Sequence, residues 1–518
     1  MQKFLSSMLN ILRKFLHILP RSPLFSHRDL HCKQTLVFHC IFFCFTQQAF
    51  AWHTAPFSEK ELTVITQYLL NNITSQQKPF VKTDEERTIH SHPGAVLASP
   101  SNKGSGFSQD YQFHWTRDAA ITMQQAMHIY LQNLTDNKLH EALNNYIEFE
   151  YTAQQQPSNP GERTLGQPKF NIDTTVWEGV WGRPQNDGAA LRAFTLCDYY
   201  LNIDGKNVES ATWLRAHLLP LIINDLDYVM REWQHTTYDL WEEVNDTEHF
   251  FTKMVQKKSL SCGSALLAKL HDDKKRMQTY ADTATAITRS LEKHWQITLG
   301  YITETVNQLT NKGGGLDSSI LLGVLYGDHY KNPSISYEQP WSIIDDRVMH
   351  TVTILRNTFA SEYLLNKAHP EQPPLIGRYP GDRYDGNEFM HGNPWVLTTS
   401  AFAEYYYSLA HAYLKLKYIN VTPTNLDFFT QLHLALLANT RYDDNNSHFN
   451  EIISALITEG DRYLLTVKSY QQCHKKTDCL HFSEQIDAIT GNPTSAQDLT
   501  WGYVSILRAM QARKETIH

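Results

Sequence analysis

Residues 450–470 read NEIISALITEGDRYLLTVKSY, and this stretch shows the pattern that decides the fold. Apolar residues recur in steps of three and four, as at Ile453, Leu456 and Ile457, so they line one face of an α-helix. The same period returns near residues 58–70, 117–132, 137–153, 187–203, 209–233, 248–270, 275–298, 345–366, 396–415, 424–437 and 498–512. Strand-like alternation is scarce. The sequence therefore predicts an all-α protein, with about a dozen helices in one array or barrel.

Long loops rich in Gly, Pro, Asn and Trp separate several of these helices. Such loops are uncommon in a compact helical protein unless they have a function, and catalytic groups usually sit on loops held by a rigid scaffold. No short repeat of the solenoid type is visible. We therefore expect one large domain over residues 52–518, with its functional residues on the loops 94–115, 155–186, 311–317, 368–395 and 472–497.

The charge of the chain argues against a nucleic-acid partner. Its 518 residues include 46 Lys and Arg and 54 Asp and Glu, and no long basic run stands out. Aromatic residues make up 12% of the chain. Most of these must belong to the core, but Trp residues inside polar, Gly-rich loops are suited to packing on the apolar faces of sugars. We expect a monomer.

The first 51 residues have the order of a secretory leader. A weakly basic stretch at 28–33 precedes an apolar run at 36–45 (LVFHCIFFCF), and the small-residue pattern Ala49-Phe50-Ala51 follows. Basic, apolar and cleavage regions in this order are typical of a signal peptide, and the run is too short for an ordinary membrane span. We predict cleavage after Ala51 and a secreted or periplasmic protein without a stable membrane span. Residues 1–23 are either an over-extended start or a second amphipathic stretch.

The cysteines divide between this leader and the rest of the chain. An exported protein can oxidise the four that follow the leader, Cys197, Cys262, Cys473 and Cys479. The first candidate pair is Cys473 with Cys479, because they are near neighbours in a polar stretch. No cluster of Cys or His has the spacing of zinc ligands, so we expect no metal and no cofactor.

The densest cluster of reactive side chains lies at residues 238–245, YDLWEEVN. Asp239, Glu242 and Glu243 stand beside Trp241, next to a predicted helix. Neighbouring like charges raise one another's pKa, and an apolar face does the same by excluding water. A carboxylic acid in such a place stays protonated near neutral pH and can act as a general acid. A solvated acidic turn is the plainer interpretation, and it stays open at this point.

Cleavage of a glycosidic bond uses such an acid together with a second carboxyl group. An inverting enzyme holds the two roughly 6.5–9.5 Å apart, with a water on the far side of the sugar. Asp239 and Glu242 cannot be that pair if their segment is helical, since residues three apart on a helix have Cβ atoms about 5–6 Å apart on one face. The base should then come from elsewhere, and Glu484 and Asp487 in the loop 472–497 are candidates.

Seven segments together resemble the glucoamylases of glycoside hydrolase family 15, and they occur in that family's order over about residues 60–512. The resemblance implies an (α/α)6 barrel, with six inner helices ringed by six outer ones and a pocket at one end. The segments are YQFHWTRD at 111–118, PKFNID at 168–173 with WGRPQNDG at 181–188, the cluster around Glu242, GRYP at 377–380, GNPW at 392–395, SEQ at 483–485 and DLTW at 498–501.

The same resemblance implies a role for each matching residue. Glu242 corresponds to the general acid, Glu484 to the general base, and Glu243 to a substrate-binding carboxylate beside the acid. Asp239 matches an acidic residue of the family signature; it stays among the catalytic candidates, although the spacing argument favours a supporting role. The residues that match the family's substrate pocket are Tyr111, Trp115, Arg117, Asp118, Trp181, Arg378, Asp382 and Trp395.

The implied reaction is exo-acting, inverting hydrolysis of α-1,4-glucans such as starch, glycogen and maltooligosaccharides, with slower cleavage of α-1,6 links. Two alternatives remain open: a relative that acts on trehalose, isomaltose or dextran-type links, and a glucan-binding protein without catalysis. The second would need a lost acid or base, and both are present. We expect no starch-binding module after the barrel, and soluble glucans as the substrates.

The chain also departs from the family's pattern in several places. Thr237 and Asp246 stand where the signature often has Gly, Phe113 replaces a pocket Tyr, and the stretch from Arg378 to Trp395 is long, as in yeast-type members. These departures put the affinity for individual sugar units in doubt rather than the reaction. Ser495 and Asp498 fit the S-x-x-D pattern of a helix cap, so we assign them no catalytic role.

Overall fold

The computed structural model describes residues 54–83, 87–102, 109–156, 164–206, 208–308, 312–327 and 339–517. Internal contacts divide the chain into two units, Met1–Ala55 and Pro56–His518. Nearly all of the first unit lies outside the described residues, and with it the predicted leader and its cleavage site. Within the described ranges, no helix has the length and apolar character needed to cross a membrane.

Helices make up most of the second unit. Its described residues contain twelve helices of nine residues or more. They are α1 (Glu59–Asn71), α2 (Thr116–Gln132), α3 (Asn137–Gln154), α4 (Asn186–Ile203), α5 (Leu219–Glu232), α6 (Phe250–Leu270), α7 (Lys274–Ser290), α8 (Ser319–Gly327), α9 (Asp346–Glu362), α10 (Val396–Leu416), α11 (Ser447–Ser469) and α12 (Thr500–Ile517).

The even-numbered helices form a closed inner ring. Each contacts the next, and α12 returns to contact α2. The odd-numbered helices lie outside them: α1 packs on α12, α3 on α2, α5 on α4, α7 on α6 and α11 on α10. The remaining outer helix, α9, reaches α10 where the Tyr413 hydroxyl donates to Met349 Sδ at 3.5 Å. The predicted (α/α)6 barrel is therefore confirmed.

Burial separates the two rings. All nine residues of α8 and 17 of the 21 residues of α10 are buried. In the outer helix α7, by contrast, only Tyr280, Ala284 and Ile287 are buried among 17 residues. These three follow the i, i+4, i+7 spacing of a single apolar stripe, whereas a helix buried all round belongs to the interior. The core thus fills the space within and between the rings.

Short elements connect the helices. The strands pair two by two and antiparallel. They are β1 (Val81–Thr83) with β2 (Thr88–His90), β3 (His114–Trp115) with β4 (Lys169–Phe170), β5 (Thr237–Tyr238) with β6 (Asn245–Asp246), β7 (Trp295–Gln296) with β8 (Tyr301–Ile302), β9 (Tyr418–Val421) with β10 (Thr440–Asp443), and β11 (Ser483–Ile486) with β12 (Pro493–Gln497). Single turns of helix occur at Thr164–Gly166, Ala211–Trp213, Leu214–Leu218, Leu291–His294, Gly313–Gly315, Leu364–Ala368 and Leu426–Thr430.

One helix prediction was wrong, and one helix was missed. In the segment 424–437 only Leu426–Thr430 is helical, and the residues after it form turns that lead to β10. Phe428 and Phe429 are buried, but the apolar face does not continue along the segment, since Leu437 is 71% exposed. Helix α8 was not predicted, since its sequence SILLGVLYG is apolar on every side and has no stripe to detect.

The connections that lead into the six inner helices determine where the site lies. β3 precedes α2, residues 181–185 precede α4, and the β5–β6 hairpin precedes α6. Residues 312–318 precede α8, residues 378–395 precede α10, and the β11–β12 hairpin precedes α12. Every one of these connections carries at least one residue of the site described below, so the amino-terminal ends of the inner helices together build it.

Candidate active site

The acidic cluster lies on a tight turn between β5 and β6. The turn closes where the Asp239 amide donates to the Val244 carbonyl at 2.9 Å and the Glu242 amide donates to the Asp239 carbonyl at 3.0 Å. Glu242 has a φ of +67°, in the left-handed region that side-chain-bearing residues rarely adopt. The helical segment assumed in the spacing argument is therefore absent here, and Glu242 sits on strained backbone of the kind that clusters at functional sites.

Asp239 fixes the shape of this turn. Its Oδ1 accepts hydrogen bonds from the amides of Glu243 (2.7 Å) and Val244 (2.8 Å). Its Oδ2 pairs with the ammonium group of Lys312 at 2.5 Å. Lys312 and these hydrogen bonds hold the pKa of Asp239 below its ordinary value, against the opposing effect of burial. The carboxylate is thus fully engaged in holding the turn.

Lys312 joins the turn to the connection before α8. Besides Asp239, its Nζ contacts Glu243 Oε2 at 2.9 Å. In the same connection, Asp317 Oδ1 accepts a hydrogen bond from the indole of Trp241 at 2.8 Å. Burial would lower the pKa of Lys312, but the charges of Asp239, Asp317 and Glu243 raise it above its ordinary value. Lys312 therefore carries a buried positive charge that holds two carboxylates of the turn in place.

Glu242 meets Arg117, in the first turn of α2. Arg117 Nη2 donates to Glu242 Oε1 at 3.0 Å, and Nη1 donates to Gln185 Oε1 at 3.0 Å and to Asp187 Oδ2 at 3.3 Å. Asp118 lies 3.3 Å from Arg117 Nε. Burial raises the pKa of Asp118 to about 6, and the charges of Glu242 and Asp187 add to this effect while Arg117 opposes it. Arg117 thus connects the starts of α2 and α4 to Glu242.

Glu484 lies on β11, at the opposite end of the sequence, and is 3% exposed. It accepts hydrogen bonds from the Tyr111 hydroxyl at 3.2 Å, from the Gln485 side chain at 3.2 Å and from the Ser495 hydroxyl. Burial raises the pKa of Glu484 to about 7, while the hydrogen bonds from Ser495 and Tyr111 favour the ionised form. Both the protonated and the ionised form of the Glu484 carboxyl group are therefore populated near neutral pH.

Arg378 links the connection before α10 to the acidic turn. Its guanidinium binds Asp382 through two hydrogen bonds of 2.8 and 2.7 Å and contacts Glu243 Oε1 at 2.8 Å. The Tyr379 hydroxyl donates to Glu243 Oε2 at 2.8 Å. A planar guanidinium suits this bidentate contact, which fixes its orientation. Glu243 is therefore held by Arg378, Tyr379 and Lys312 together.

Several aromatic rings of the predicted site pack against one another. Trp115 packs edge-to-face on Tyr111 (5.9 Å between centroids) and on Trp181 (6.1 Å), and Trp241 packs on Trp395 at 5.6 Å. Trp181 is 37% exposed whereas Trp115 and Trp395 are buried, so Trp181 has the larger face toward solvent. These rings offer the flat, water-excluding surfaces on which sugars pack.

Tyr384 lies between Glu484 and the connection that contacts the acidic turn. Its hydroxyl lies 2.9 Å from the hydroxyl of Tyr111, which itself donates to Glu484. On its other side, the guanidinium of Arg378 lies 5.0 Å from the centre of the Tyr384 ring and contacts Glu243 at 2.8 Å. Burial raises the pKa of Tyr384, and the negative charges of Glu484 and Glu242 act in the same direction.

A buried lysine, Lys169, packs against four of the aromatic rings. Lys169 on β4 pairs with Trp115 in the β3–β4 ladder. Its Nζ lies 4.0–4.4 Å from the centroids of four rings, those of Phe113, Trp115, Trp177 and Trp181. Burial lowers the pKa of Lys169 to about 7, and the charge of Glu242 opposes that shift. The cation and the rings together stiffen this side of the pocket.

Among the described residues, the group of side chains that could hold a metal ion lies outside the predicted site. Among the residues that the structure describes, one group of three His, Cys, Asp or Glu side chains has ligand atoms close enough to share an ion, and it consists of His474, Asp478 and His481. None of these is a predicted catalytic or pocket residue. The pocket itself offers carboxyl groups, arginines and aromatic rings, which suit a polyhydroxylated, uncharged ligand.

The sequence profile of the glycosyl hydrolases family 15 matches residues 68–511. The chain belongs to this family. Among its relatives, Glucoamylase 1 of Rhizopus oryzae is 34% identical over 431 residues, which cover 81% of this chain and 67% of that protein. Glucoamylase GLU1 of Saccharomycopsis fibuligera is 31% identical over 494 residues, which cover 89% of this chain and 90% of that protein.

Solved structures of family 15 enzymes share the fold. The glucoamylase from Saccharomycopsis fibuligera aligns with a TM-score of 0.78 and 28% identity, over 89% of this chain and 95% of that one. The family 15 glucoamylase from Hypocrea jecorina aligns with a TM-score of 0.76 and 31% identity, over 88% of this chain and 71% of that one. Both agree with the ring of inner and outer helices described above.

The structure connects the predicted family 15 site residues by direct contacts. Glu242 contacts Arg117, Glu243 contacts Arg378, and Glu484 contacts Tyr111. The remaining predicted residues join this network through the neighbours already described, namely Asp118, Asp239, Asp382, Trp115, Trp181 and Trp395. Asp487, the other candidate base, is instead engaged in a turn, where it accepts from the amides of Ile489 and Thr490.

Ser495 is a site residue that the sequence reasoning assigned wrongly. It does not cap a helix: it lies in β12, and its hydroxyl donates to Glu484. Asp498 accepts from the Tyr503 hydroxyl at 2.5 Å rather than capping α12, which begins at Thr500. Lys312, Tyr379, Tyr384 and Lys169 were not singled out either. Tyr379 and Lys169 lie inside the quoted segments GRYP and PKFNID, whereas the loops 311–317 and 368–395 were the only signal for Lys312 and Tyr384.

Proposed function

We propose that this pocket removes single glucose units from the non-reducing ends of α-1,4-glucans, with Glu242 as general acid and Glu484 as general base. The chain is an exo-acting glucan 1,4-α-glucosidase of family 15, and its relatives include named glucoamylases. The observation that carries the residue assignment is a chain of contacts. The Tyr111 hydroxyl joins Glu484 to Tyr384, and the guanidinium of Arg378 lies 5.0 Å from the Tyr384 ring and 2.8 Å from Glu243, the neighbour of Glu242. In this proposal two carboxyl groups from distant parts of the chain bound one pocket, as an inverting mechanism requires.

In the proposed reaction, the protonated carboxyl of Glu242 gives its proton to the glycosidic oxygen while the bond from that oxygen to C1 breaks. A water attacks C1 from the opposite face and gives its proton to the carboxylate of Glu484. The products are β-D-glucose and a chain one unit shorter. Proton exchange with solvent then returns Glu484 to its ionised form and Glu242 to its protonated form.

The environment of Glu484 supports its role as base. Its pKa of about 7 makes the ionised form a better proton acceptor than an ordinary carboxylate, and the hydroxyls of Ser495 and Tyr111 orient its oxygens. Tyr111 also brings a second oxygen within 3.2 Å of this carboxylate. Positive charge that develops on the sugar in the transition state would be stabilised by this group of oxygens.

Several pocket groups are suited to hold the terminal glucose. The indole Nε1 of Trp395 is buried and has no hydrogen-bond partner among the described residues. A buried polar atom without a partner is costly, and a sugar hydroxyl can accept a hydrogen bond from this N–H group. Together with Arg117, Arg378 and Glu243, this indole is suited to bind the glucose unit at the end of a chain.

Asp239 is better explained as a positioning residue than as a proton acceptor. Its carboxylate accepts two backbone hydrogen bonds and pairs with Lys312, so it has little capacity left to activate a water. Its role in this proposal is to hold the left-handed backbone at Glu242.

Replacement of each carboxyl group by its amide tests the assignment. Glu242→Gln and Glu484→Gln should each lower kcat on maltoheptaose by at least roughly a thousandfold, because neither amide can exchange the required proton. Glu141→Gln, an exposed position on the outer helix α3, is the matched control and should keep full activity. Activity within tenfold of the parent protein for either pocket variant would refute the assignment.

The preferred linkage is decided by a substrate panel. Glucose release from maltose, maltoheptaose, isomaltose and trehalose is measured under the same conditions. We expect maltoheptaose and maltose to be the best substrates and isomaltose to be slower. Faster release from trehalose or isomaltose would reassign the chain to another specificity within the family.

We further propose that the protein is exported, with residues 1–51 as its leader, and that it works as a monomer on soluble glucans. The order of regions in the leader and two disulfides, Cys197–Cys262 and Cys473–Cys479, support export, because disulfides persist in oxidising compartments. Amino-terminal sequencing of the secreted protein should begin at Trp52. Light scattering should give the mass of one chain.

A further inference from the structure

A second cluster of reactive side chains lies outside the pocket, on the segment between α11 and β11. The disulfide Cys473–Cys479 closes this segment into a small loop. His474, Asp478 and His481 each offer a ligand atom there, and these atoms lie within 4.8 Å of one another. Backbone pairing of Gln472 with His481 and of Lys475 with Asp478 holds the loop in shape. Three potential metal ligands are thus fixed on one short, cross-linked piece of chain.

Each ring nitrogen of His481 lies close to a carboxylate oxygen. Its Nδ1 lies 2.9 Å from Asp498 Oδ1, and its Nε2 lies 3.2 Å from Asp478 Oδ1. If Nδ1 carries the proton and donates to Asp498, Nε2 presents a lone pair to a carboxylate oxygen. Two acceptors at that distance need a cation between them, either a proton or a metal ion. A carboxylate behind the other ring nitrogen is the usual support of a metal-bound histidine.

Neighbouring groups keep His481 and Asp478 in place. The ring of Tyr68, on α1, stacks on His481 with centroids 4.3 Å apart, and its hydroxyl donates to Asp478 Oδ1 at 2.7 Å. His481 is 7% exposed, whereas the side chain of Asp478 is 43% exposed. The two ligands therefore have a rigid, buried side and an open side toward solvent, from which an ion can enter.

His474 completes the set from the open side. Its ring lies over that of His481, with centroids 3.9 Å apart and an angle of 16° between the planes. A shared ion requires lone pairs that converge in the planes of both rings, so the stacked rings must open. His474 is exposed and can turn about its side-chain bonds, while His481 is fixed by Tyr68 and Asp498.

We infer that the loop closed by Cys473–Cys479 binds one zinc ion through His474, Asp478 and His481. Two imidazoles and one carboxylate with a free position for water form a donor set that suits Zn²⁺, whereas Ca²⁺ and Mg²⁺ prefer oxygen ligands alone. From the sequence we expected no metal, because only clusters of Cys and His with zinc-ligand spacing were considered, and here an aspartate stands between the two histidines.

The ion's role is to hold the loop to the barrel. Tyr68 belongs to α1, Asp498 precedes α12, and the Gln472 side chain donates to the Ser483 hydroxyl at 2.6 Å, next to Glu484. An ion on His481 and Asp478 would therefore tighten the segment that leads into β11. It takes no part in the hydrolysis, because none of its ligands contacts a catalytic candidate.

Calorimetric titration of the tag-free, disulfide-bonded protein with Zn²⁺ alone tests this site. We expect one ion per chain with a Kd in the micromolar range. His474→Ala and Asp478→Asn should each weaken binding at least tenfold, since each removes one of three ligands. The matched control is His448→Ala, which removes an exposed histidine that pairs with Glu451 on α11, and it should bind Zn²⁺ within twofold of the parent protein.

Melting and activity measurements separate this site from the pocket. Saturating Zn²⁺ should raise the Tm of the parent protein by roughly 2 °C and leave that of His474→Ala unchanged. The kcat on maltoheptaose should stay within twofold with or without Zn²⁺, so the result does not depend on the proposed catalytic residues. The inference is overturned if no saturable binding occurs, if His474→Ala and Asp478→Asn bind as the control does, or if bound zinc leaves the Tm unchanged.

Discussion

The general base is shaped by residues that touch it directly. Glu484 is buried, which alone would favour its neutral form, and the hydroxyls of Ser495 and Tyr111 shift the balance back toward the ionised form that catalysis needs. Ser495 has a φ of +67°, so the backbone is strained at the point where its hydroxyl meets the carboxylate. Position and protonation of the base thus depend on the same two neighbours.

Removal of the Ser495 hydroxyl should shift the pH dependence of the reaction. The hydroxyl stabilises ionised Glu484, so Ser495→Ala raises the pKa of Glu484. Because the base works only when ionised, the acidic limb of the kcat/KM profile should move to higher pH by roughly half a unit or more. Ser505→Ala, which removes a hydroxyl bonded to the Trp501 carbonyl within α12, should leave the limb in place. An acidic limb at unchanged or lower pH would contradict this account.

Lys312 offers a test of how the acid is positioned. Lys312→Met leaves Asp239 and Glu243 without their shared cation, so the turn that carries Glu242 should relax and kcat should fall by roughly 10- to 100-fold. KM should change less than kcat.

Loss of a partner from a buried ion pair also destabilises the fold, by about 3–5 kcal/mol. The double variant Lys312→Met/Asp239→Asn also removes the negative charge of Asp239, which has lost its partner Lys312. It should recover part of the Tm while kcat stays low. Recovery of kcat together with Tm would show that Lys312 has only a structural role.

Sequence patterns predicted these residues unevenly. Glu242 and Glu484 stand in short motifs whose residue types already point to acid and base chemistry. Ser495 and Lys312 act only through contacts with residues 11 and 73 positions away. Nothing in their local sequence shows those contacts, and the S-x-x-D spacing at Ser495 actively suggested another role. Only the fold brings such pairs together.

At the scale of helices, close packing within the inner ring leaves little room for side chains. Helices α6 and α8 approach so closely that a Cβ added at Gly327 would lie 2.6 Å from Met254 Cβ and 2.8 Å from its backbone. The same crowding explains why α8 is apolar on every side. An apolar period of 3.6 is hard to detect in a helix with polar residues on no side, so α8 was missed, while the other inner helices and most outer ones were predicted.

Gly327→Ala should therefore destabilise the protein. Backbone atoms of α6 cannot yield as a flexible side chain can, so we expect a loss of about 1–3 kcal/mol and a Tm lower by several degrees. Gly502→Ala in α12 is the control, because the nearest atoms lie 3.9 Å from the added Cβ. Alanine favours helix by up to about 1 kcal/mol over glycine, so the control should keep or raise the Tm. Equal effects in the two variants would contradict close packing at α6 and α8.

At the scale of the molecule, closure of the ring brings the beginning and end of the barrel together. Helix α12 contacts both α1 and α2, and Asn72 donates to the Asp498 carbonyl at 2.9 Å. The disulfide Cys197–Cys262 adds a covalent link between α4 and α6 within the inner ring. The six connections that carry the site are therefore held by a scaffold that is closed on itself.

The two disulfides should differ in their contribution to stability. Cys197–Cys262 spans 65 residues and Cys473–Cys479 only 6, and a longer loop loses more entropy when it is closed in the unfolded chain. Cys197→Ala/Cys262→Ala should cost about 2–4 kcal/mol, clearly more than Cys473→Ala/Cys479→Ala measured with a chelator present. Thermal melting of both variants measures this, and a larger loss from the short loop would contradict it.

The central claim is that one pocket cuts single glucose units from chain ends with inversion, and proton NMR of maltoheptaose hydrolysis tests it most directly. Spectra taken in the first minutes, before mutarotation, resolve the anomeric protons of the products. The account predicts β-D-glucose as the first product, together with maltohexaose and no shorter fragments. Initial α-D-glucose, or early internal fragments such as maltotriose and maltotetraose, would contradict it.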